Sequence, residues 1–221
     1  MVRMFLSNAE TTEDTLRLQA QRARAEIASG ALRGSALLEL LLSVPTRHRD
    51  DWTDELLGLE SCPPDAPDLP RGSVPYLPCG VDEILSMLRD VPVRSDDELV
   101  DLGSGLGRVA ILVHLLSGAR ARGIEIQEHL VDGARAACAA LVLPDVSFLH
   151  ADAAEAEIDG SVFFLYAPFN GRMLTAVLRR LEDVARRRPI VVCTVGVELR
   201  GVVWLDERAS SNASLSVYDS Q

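Results

Sequence analysis

The fold is decided by the stretch Glu98-Leu99-Val100-Asp101-Leu102-Gly103-Ser104-Gly105-Leu106-Gly107-Arg108, a short apolar strand that runs into a glycine-rich turn and then a helix. Glycines in such a turn adopt positive φ angles and let a ligand approach the backbone at the carboxyl edge of a sheet. A dinucleotide-binding turn needs a third glycine where this chain has Arg108. Asp101, before the first glycine, repels a pyrophosphate. Both departures argue against NAD as the ligand.

Strands and helices alternate in the sequence from Glu98 onward. Strands are predicted at 99–102, 121–126, 146–150, 162–166 and 190–195, and helices at 107–116, 128–140 and 172–187. This alternation predicts an α/β fold with a parallel sheet covered by helices on both faces. Two further strands, at 202–205 and 215–218, are predicted to form an antiparallel C-terminal hairpin at the edge of the sheet.

The sequence of the first third of the chain predicts helices. Apolar spacing predicts helices over 15–27, 35–42, 47–57 and 81–88. Six prolines between residues 61 and 78 exclude regular structure there and predict a linker across the surface. We therefore expect an N-terminal helical lid or substrate segment (1–60), a proline-rich linker (61–78) and a ligand-binding domain (79–221).

The composition narrows the possible chemistry. All 22 basic residues are arginines, which excludes a Schiff-base lysine, a phosphate-loop lysine and a lysine general base. With 33 acidic residues the net charge is −11, which argues against nucleic-acid binding because phosphates need basic partners. The four cysteines are widely spaced and no apolar run reaches the ~20 residues that span a bilayer. We expect a cytoplasmic protein with no metal site and no membrane partner.

Three acidic residues stand at the carboxyl ends of three successive predicted strands: Asp101, Glu125 and Asp152. Together with the glycine turn, this pattern resembles the class I S-adenosylmethionine-dependent methyltransferases. The resemblance implies a Rossmann-like seven-strand sheet and S-adenosyl-L-methionine as the cofactor. It implies that Asp101 serves the α-ammonium group, Glu125 the ribose hydroxyls and Asp152 the adenine amino group. The alternative for Asp152 is an N-cap of the helix that follows it.

A segment before the first motif carries a narrower resemblance. Residues 74–80, Val-Pro-Tyr-Leu-Pro-Cys-Gly, together with Gly123-Ile124-Glu125-Ile126, look like the non-SET histone-lysine methyltransferases over about residues 75–170. That resemblance implies that Tyr76 covers the methionine end of the cofactor. The chain departs from the asparagine-rich fourth motif of that subgroup, so histone specificity is not implied. The implied cofactor-binding residues are Tyr76, Asp101, Gly103, Ser104, Gly105, Gly107, Glu125, Ile126, Asp152, Ala153 and Tyr166.

The fourth predicted strand leads into Tyr166-Ala167-Pro168-Phe169-Asn170, where the family's fourth motif borders the reactive methyl group and the acceptor. Many amine-methylating members carry Asn/Asp-Pro-Pro-Tyr/Phe there. This chain keeps the proline and the aromatic residue but lacks the first polar group, which puts that amine geometry in doubt. We interpret Tyr166 and Asn170 as catalytic residues that orient the acceptor. The alternative is that Tyr166 and Phe169 are core aromatic residues.

These patterns favour a methyltransferase that acts on an unidentified acceptor, with a small molecule slightly favoured over a protein. Two alternatives stay open. One is a noncatalytic S-adenosylmethionine-binding or scaffold module, and the other is an aminopropyltransferase on the same fold. The acceptor atom, the need for a general base and the oligomeric state are not fixed by these residues.

Overall fold

The computed structural model describes residues 2–69, 73–167, 169 and 171–221, with side chains from residue 13 onward. Its helices are α1 (Val2–Ala28), α2 (Gly34–Ser43), α3 (Thr46–Leu57), α4 (Val81–Asp90), α5 (Arg108–Ser117), α6 (Glu128–Leu141) and α7 (Gly171–Ala185). Its strands are β1 (Glu98–Leu102), β2 (Arg120–Glu125), β3 (Val146–His150), β4 (Val162–Tyr166), β5 (Val191–Val195), β6 (Leu205–Arg208) and β7 (Leu215–Ser220). The first five strands lie within one residue of their predicted bounds.

The seven strands form one sheet in the order β3-β2-β1-β4-β5-β7-β6. Strands β1 to β5 are parallel, and β7 pairs antiparallel with both β5 and β6. The chain moves outward from β1 to β2 and β3, then returns to place β4 on the other side of β1. Ligands bind beyond the carboxyl ends of strands at such a reversal point. The predicted α/β fold with a mostly parallel seven-strand sheet is confirmed.

Apolar side chains cover both faces of the sheet. Leu99 and Phe164 pack with α4, α5 and α6 on one face. Val100 and Phe163, their neighbours in sequence, pack with α7 and residues 153–158 on the other face. Successive side chains of a strand point to opposite faces, so strands buried on both sides are continuous apolar runs. This explains why these strands are so clear in the sequence.

Helices α1, α2 and α3 lie outside α4, α5 and α6 and share their apolar core. Ile27 of α1, Leu41 of α2 and Leu56 of α3 are fully buried in the same cluster as Leu99 of the sheet. Helix α1 packs on α3 and α6, and α2 packs on α5. Helix α1 begins at Val2, well before the predicted start at residue 15. The N-terminal helices and the sheet therefore have one continuous core.

A buried ion pair joins these helices to the glycine turn. Arg108, the first residue of α5, donates hydrogen bonds of 2.9 and 2.6 Å to the two carboxylate oxygens of Asp54 on α3. It donates a third, of 2.7 Å, to the backbone carbonyl of Cys79. The Arg108 side chain is 5% exposed and that of Asp54 is 17% exposed. Burial raises the pKa of Asp54 above its ordinary value, and Arg108 opposes that shift.

The first strand of the C-terminal hairpin differs from the prediction. Residues 201–204 form a turn, and β6 begins at Leu205 rather than at residue 202. Val203 in that turn is 86% exposed, so this apolar run is not the buried side of a strand. Pairing with β7 fixes the register instead, with Leu205 opposite Ser220 and Arg208 opposite Val217.

Within the described ranges, no helix is both long enough and apolar enough to cross a membrane. All four cysteines are free thiols, and Cys79, Cys138 and Cys193 are buried. The described side chains include no group of three histidine, cysteine or acidic residues that could hold a metal ion.

Replacing Asp54 with alanine leaves the buried Arg108 guanidinium with only the more distant Asp50, whose Oδ1 lies 3.9 Å from Nη1, as a counter-ion. We expect this variant to lose about 3 kcal/mol of unfolding free energy, because removing one partner of a buried ion pair is strongly unfavourable. Asp51→Ala, at an exposed position of the same helix, is the matched control and should change it by about 0.5 kcal/mol or less. Chemical denaturation measures the unfolding free energy of both variants. Equal losses in the two would show that the ion pair of Asp54 with Arg108 does not stabilise the fold.

Candidate functional site

A cavity of about 210 Å³ opens at the carboxyl ends of the parallel strands, at the reversal point between β1 and β4. Each of the five parallel strands contributes to its wall, through Gly103, Glu125, Asp152, Tyr166 and Val195. The facing wall is part of the proline-rich segment, residues 73–77. A smaller cavity of about 20 Å³ adjoins it beside the glycine turn and shares Tyr76 and Tyr166 with it.

None of the described residues that line the two cavities precedes Leu69. Helices α1 to α3 approach the site through the contact of Asp54 with Arg108, which borders the smaller cavity. The lid or substrate role of residues 1–60 stays a prediction.

Asp101 is the most strongly perturbed acid of the site. It is the penultimate residue of β1, is 2% exposed and borders the smaller cavity. Its Oδ2 is buried without a hydrogen-bond partner among the described residues, and so is the hydroxyl of Ser104 beside it. Burial, reinforced by the charge of Glu125, raises the pKa of Asp101 from 3.8 to about 8. An acid held in this way favours a ligand that brings a positive charge.

The carboxylate of Glu125, at the end of β2, is fixed by three backbone N–H groups. Its Oε2 accepts from Gly105 in the glycine turn at 2.9 Å. Its Oε1 accepts from Ile126 at 2.8 Å and from Gln127 at 2.9 Å. The carboxylate therefore holds the glycine turn against the end of β2, and it lines the main cavity while only 7% exposed.

The three glycines of the turn have different surroundings. Gly103 has φ of +82° and lines both cavities. Gly105 has φ of +52°, and a Cβ there would lie 2.1 Å from the Tyr76 ring, so the ring packs directly on the turn. Gly107 has φ of +82°, and a Cβ there would lie 2.3 Å from Phe148. Gly107 is thus required by the turn and by the packing of β3.

Tyr76, the aromatic residue before the first motif, lies over the glycine turn and lines both cavities. Burial is the main cause that raises its pKa to about 12, so its phenol keeps the proton at neutral pH. Because Tyr76 lines both cavities, it lies at the boundary between the main cavity and the smaller one.

Asp152 follows β3 and lines the main cavity with Ile126 and Ala153. Its Oδ1 accepts a hydrogen bond of 2.8 Å from the backbone N–H of Ala154, and its carbonyl accepts from Glu155 and Ala156. Asp152 therefore caps a turn at 153–155, where the alternative predicted a helix, while it also borders the cavity.

The end of β4 brings Tyr166 and Phe169 to the cavity. Phe169 is 5% exposed and pairs with Ser73 of the proline-rich segment in an isolated antiparallel bridge. Ala167 between them has φ of +40°, an uncommon conformation for a residue other than glycine. Burial raises the pKa of Tyr166, with smaller contributions from Cys79, Glu83 and Asp50. Asn170 lies outside the described residues.

Sequence reasoning missed Gln127, which joins the proline-rich segment to the site. Its buried side-chain amide accepts from the backbone N–H of Ala66 at 2.7 Å and donates to Asp65 Oδ1 at 2.8 Å. Asp65 Oδ1 also accepts from the backbone N–H of Tyr76 at 2.8 Å. Gln127 stands two residues after Glu125, the acid at the end of β2, and this position is the only signal in the sequence that could have indicated its role. The segment is therefore a wall of the cavity, whereas the proline pattern predicted a linker across open surface.

Neither protein-family models nor curated proteins match the sequence. Among solved structures, an RNA methyltransferase from Salinibacter ruber in complex with S-adenosyl-L-homocysteine has 29% identity and a TM-score of 0.53, over 65% of this chain and 92% of that one. The PH0226 protein from Pyrococcus horikoshii OT3 has 15% identity and a TM-score of 0.53, over 63% of this chain and 90% of that one. The chain has the fold of the class I S-adenosylmethionine-dependent methyltransferases.

The raised pKa of Asp101 makes the stability of the protein depend on pH. The unfolded chain ionises this carboxyl near 3.8 and the folded chain near 8, so the folded state holds the extra proton between those values. Stability should therefore fall as the pH rises from about 4 to about 8. Asp101→Asn removes this contribution. Denaturation of the wild type and of Asp101→Asn at pH 5.5 and pH 8 tests this expectation. Identical pH dependence of stability in the two proteins would show that the pKa of Asp101 is not raised.

Proposed function

We propose that this protein is an S-adenosylmethionine-dependent methyltransferase. The observation that carries the proposal is the buried Asp101 carboxylate, whose Oδ2 has no partner among the described residues and which borders the cavity beside the glycine turn. The α-ammonium group of the cofactor supplies the missing positive charge. The Salinibacter ruber RNA methyltransferase, with S-adenosyl-L-homocysteine bound, supports the same cofactor.

The other cofactor-binding residues that we propose lie at or just beyond the ends of the parallel strands. Glu125 accepts three N–H groups, and an ionised carboxylate has about four lone-pair sites, so it retains capacity for a ribose hydroxyl. Asp152 uses Oδ1 for its own turn, which leaves Oδ2 for the adenine amino group. Ile126 and Ala153 flank that position and supply apolar contacts to the adenine ring. We assign Gly103 and Ser104, which line the smaller cavity, to the methionine end of the cofactor.

The chemistry requires positioning more than proton transfer. When bound, the cofactor supplies a methyl group already activated by its sulfonium. The residues of this chain hold the acceptor in line with that methyl and exclude water, a contribution that can reach ~7–11 kcal/mol. A tyrosine hydroxyl is protonated at neutral pH, and burial raises the pKa of Tyr166 further, so we propose that its hydroxyl orients the acceptor as a hydrogen-bond donor. Asn170 is the second residue that we propose for this role.

We propose a small, uncharged molecule as the acceptor. Beyond the assigned cofactor residues, the lining of the main cavity is mostly apolar, as with Val74, Leu77, Phe169, Met173 and Val195, and its polar members are Ser73 and Gln127. A wall of this kind favours an apolar ligand over a phosphate. The likeness of residues 75–170 to the histone-lysine subgroup supports only the position of Tyr76.

RNA is the second candidate acceptor, because the Salinibacter ruber neighbour is an RNA methyltransferase. The net charge of −11 opposes it. An aminopropyltransferase needs acids around the end of β4, and the described residues there, Tyr166, Ala167 and Phe169, are uncharged. A noncatalytic module would bind the cofactor without turnover.

Cofactor binding should release a proton. At pH 7 the Asp101 carboxyl of the empty protein is mostly protonated, and an ammonium group beside it favours the ionised form. Calorimetric titration with S-adenosyl-L-homocysteine, in buffers of different ionisation enthalpy, should show release of close to one proton. Asp101→Asn should release none and bind about 10- to 100-fold more weakly. Absence of binding to the wild-type protein would refute the proposed function.

The acceptor class is tested with radiolabelled S-adenosylmethionine and separate small-molecule, protein and RNA fractions. We expect label in the small-molecule fraction, whereas nuclease-sensitive label would favour RNA. With the labelled fraction as substrate, Tyr166→Phe should lower kcat about 10-fold or more while affinity for S-adenosyl-L-homocysteine stays within about twofold, since a donor is lost and the ring is kept. A normal kcat would remove Tyr166 from the mechanism. Label in none of the fractions would favour the noncatalytic module.

A further inference from the structure

A closed ring of contacts links the two sides of the cofactor cavity. Glu125 accepts from the backbone of Gln127, whose side chain bonds to Asp65. Asp65 accepts from the backbone of Tyr76, whose ring packs on Gly105. Gly105 donates back to Glu125. The ring of contacts therefore returns to the acid that we propose for the ribose.

Gln127 is suited to join the two walls. Its backbone N–H holds Glu125, while its side-chain oxygen and nitrogen hold Ala66 and Asp65. It is 4% exposed, so these hydrogen bonds are shielded from competing water. A neighbouring contact supports the same attachment, because the Nε2 of His129 on α6 lies 3.0 Å from the carbonyl oxygen of Pro64.

Asp65 is the matching group on the proline-rich segment. One oxygen, Oδ1, accepts both from the Gln127 side chain and from the Tyr76 backbone, each at 2.8 Å. The distance between Tyr76 and the end of β2 is thus fixed through a single atom. Since Tyr76 borders both cavities, its placement decides the shape of the passage between the adenosine end and the methionine end.

We propose that Gln127 and Asp65 are positioning residues that hold Tyr76 against the glycine turn and thereby set the affinity for the cofactor. This inference rests on the proposed function. Asp65 lines neither cavity and acts through Tyr76 and Gln127, whereas Gln127 lines the main cavity and also orients Glu125. The expected signature is weaker cofactor binding with little change in the use of the acceptor.

The test uses the full chain, with S-adenosyl-L-homocysteine as the calorimetric probe. Gln127→Ala and Asp65→Ala should each raise Kd about tenfold, because each removes buried hydrogen bonds. If the two substitutions acted independently, the double variant would raise Kd about a hundredfold. We expect a much smaller rise, because both substitutions break the same connection between Gln127 and Asp65. Asp65→Asn keeps the Oδ1 acceptor and should stay within about twofold of the wild type.

A charge rescue separates positioning from general destabilisation. Gln127→Glu keeps an acceptor for the Ala66 N–H but sets a second carboxylate against Asp65, so Kd should rise about tenfold or more. Adding Asp65→Asn to that variant removes the repulsion and should recover most of the affinity. A variant that merely unfolds the segment would not be rescued in this way.

Asp90→Ala is the matched control. The Oδ2 of Asp90 accepts a 2.7 Å hydrogen bond from the backbone of Ser211, in the loop between β6 and β7, outside the lining of both cavities. This variant should lose thermal stability while Kd stays within about twofold of the wild type. The Michaelis constant for S-adenosylmethionine should rise in the Gln127 and Asp65 alanine variants, and that for the labelled acceptor fraction should not.

The inference and the proposed function fail in different ways. If the wild-type protein does not bind S-adenosyl-L-homocysteine, the proposed function fails. If the wild type binds and the alanine variants bind equally well, the positioning role fails alone. The role also fails if Asp65→Asn is as weak as Asp65→Ala, or if the charge rescue does not occur.

Discussion

The site depends on the carboxylate of Glu125 and the three backbone N–H groups that it accepts. One of these comes from the glycine turn after β1 and two come from the segment after β2. Two loops at neighbouring strand ends are thus held by one side chain, which leaves the turn with its left-handed residues in a fixed shape. Such a turn has little apolar surface of its own to hold it in place, and a charged acceptor compensates for that.

The same arrangement places two buried acids close together where water is scarce. Glu125 is satisfied by hydrogen bonds, whereas Asp101 one strand away has an oxygen without a partner among the described residues. The two carboxyl groups therefore differ in their hydrogen bonding although they lie at adjacent strand ends. Burial and the neighbouring charge hold Asp101 in its protonated form at neutral pH. The architecture thus gives one acid three hydrogen bonds and leaves the other with an oxygen that has no partner among the described residues.

The parts of this structure that sequence could predict are those with local or periodic causes. Strands such as Val162–Tyr166 are apolar on both sides, and the acids Asp101, Glu125 and Asp152 mark the strand ends. Contacts between distant residues have no such signature. Gln127 and Asp65 are 62 positions apart, and Arg108 and Asp54 are 54 apart. The run 202–204 misled the strand prediction because apolarity there is not accompanied by burial, as Val203 shows.

On the proposed function, the unpaired oxygen of Asp101 links the stability of the protein to its ligand. An empty chain carries a buried acid that is unfavourable once ionised, and a bound cation removes that penalty. A ligand that binds only the folded state stabilises it by about 2.7 kcal/mol at a hundred times its dissociation constant. On the proposed function, proteases would therefore remove the chain faster when S-adenosylmethionine is scarce. The cellular amount of this protein would then follow the supply of methyl donor without any dedicated regulator.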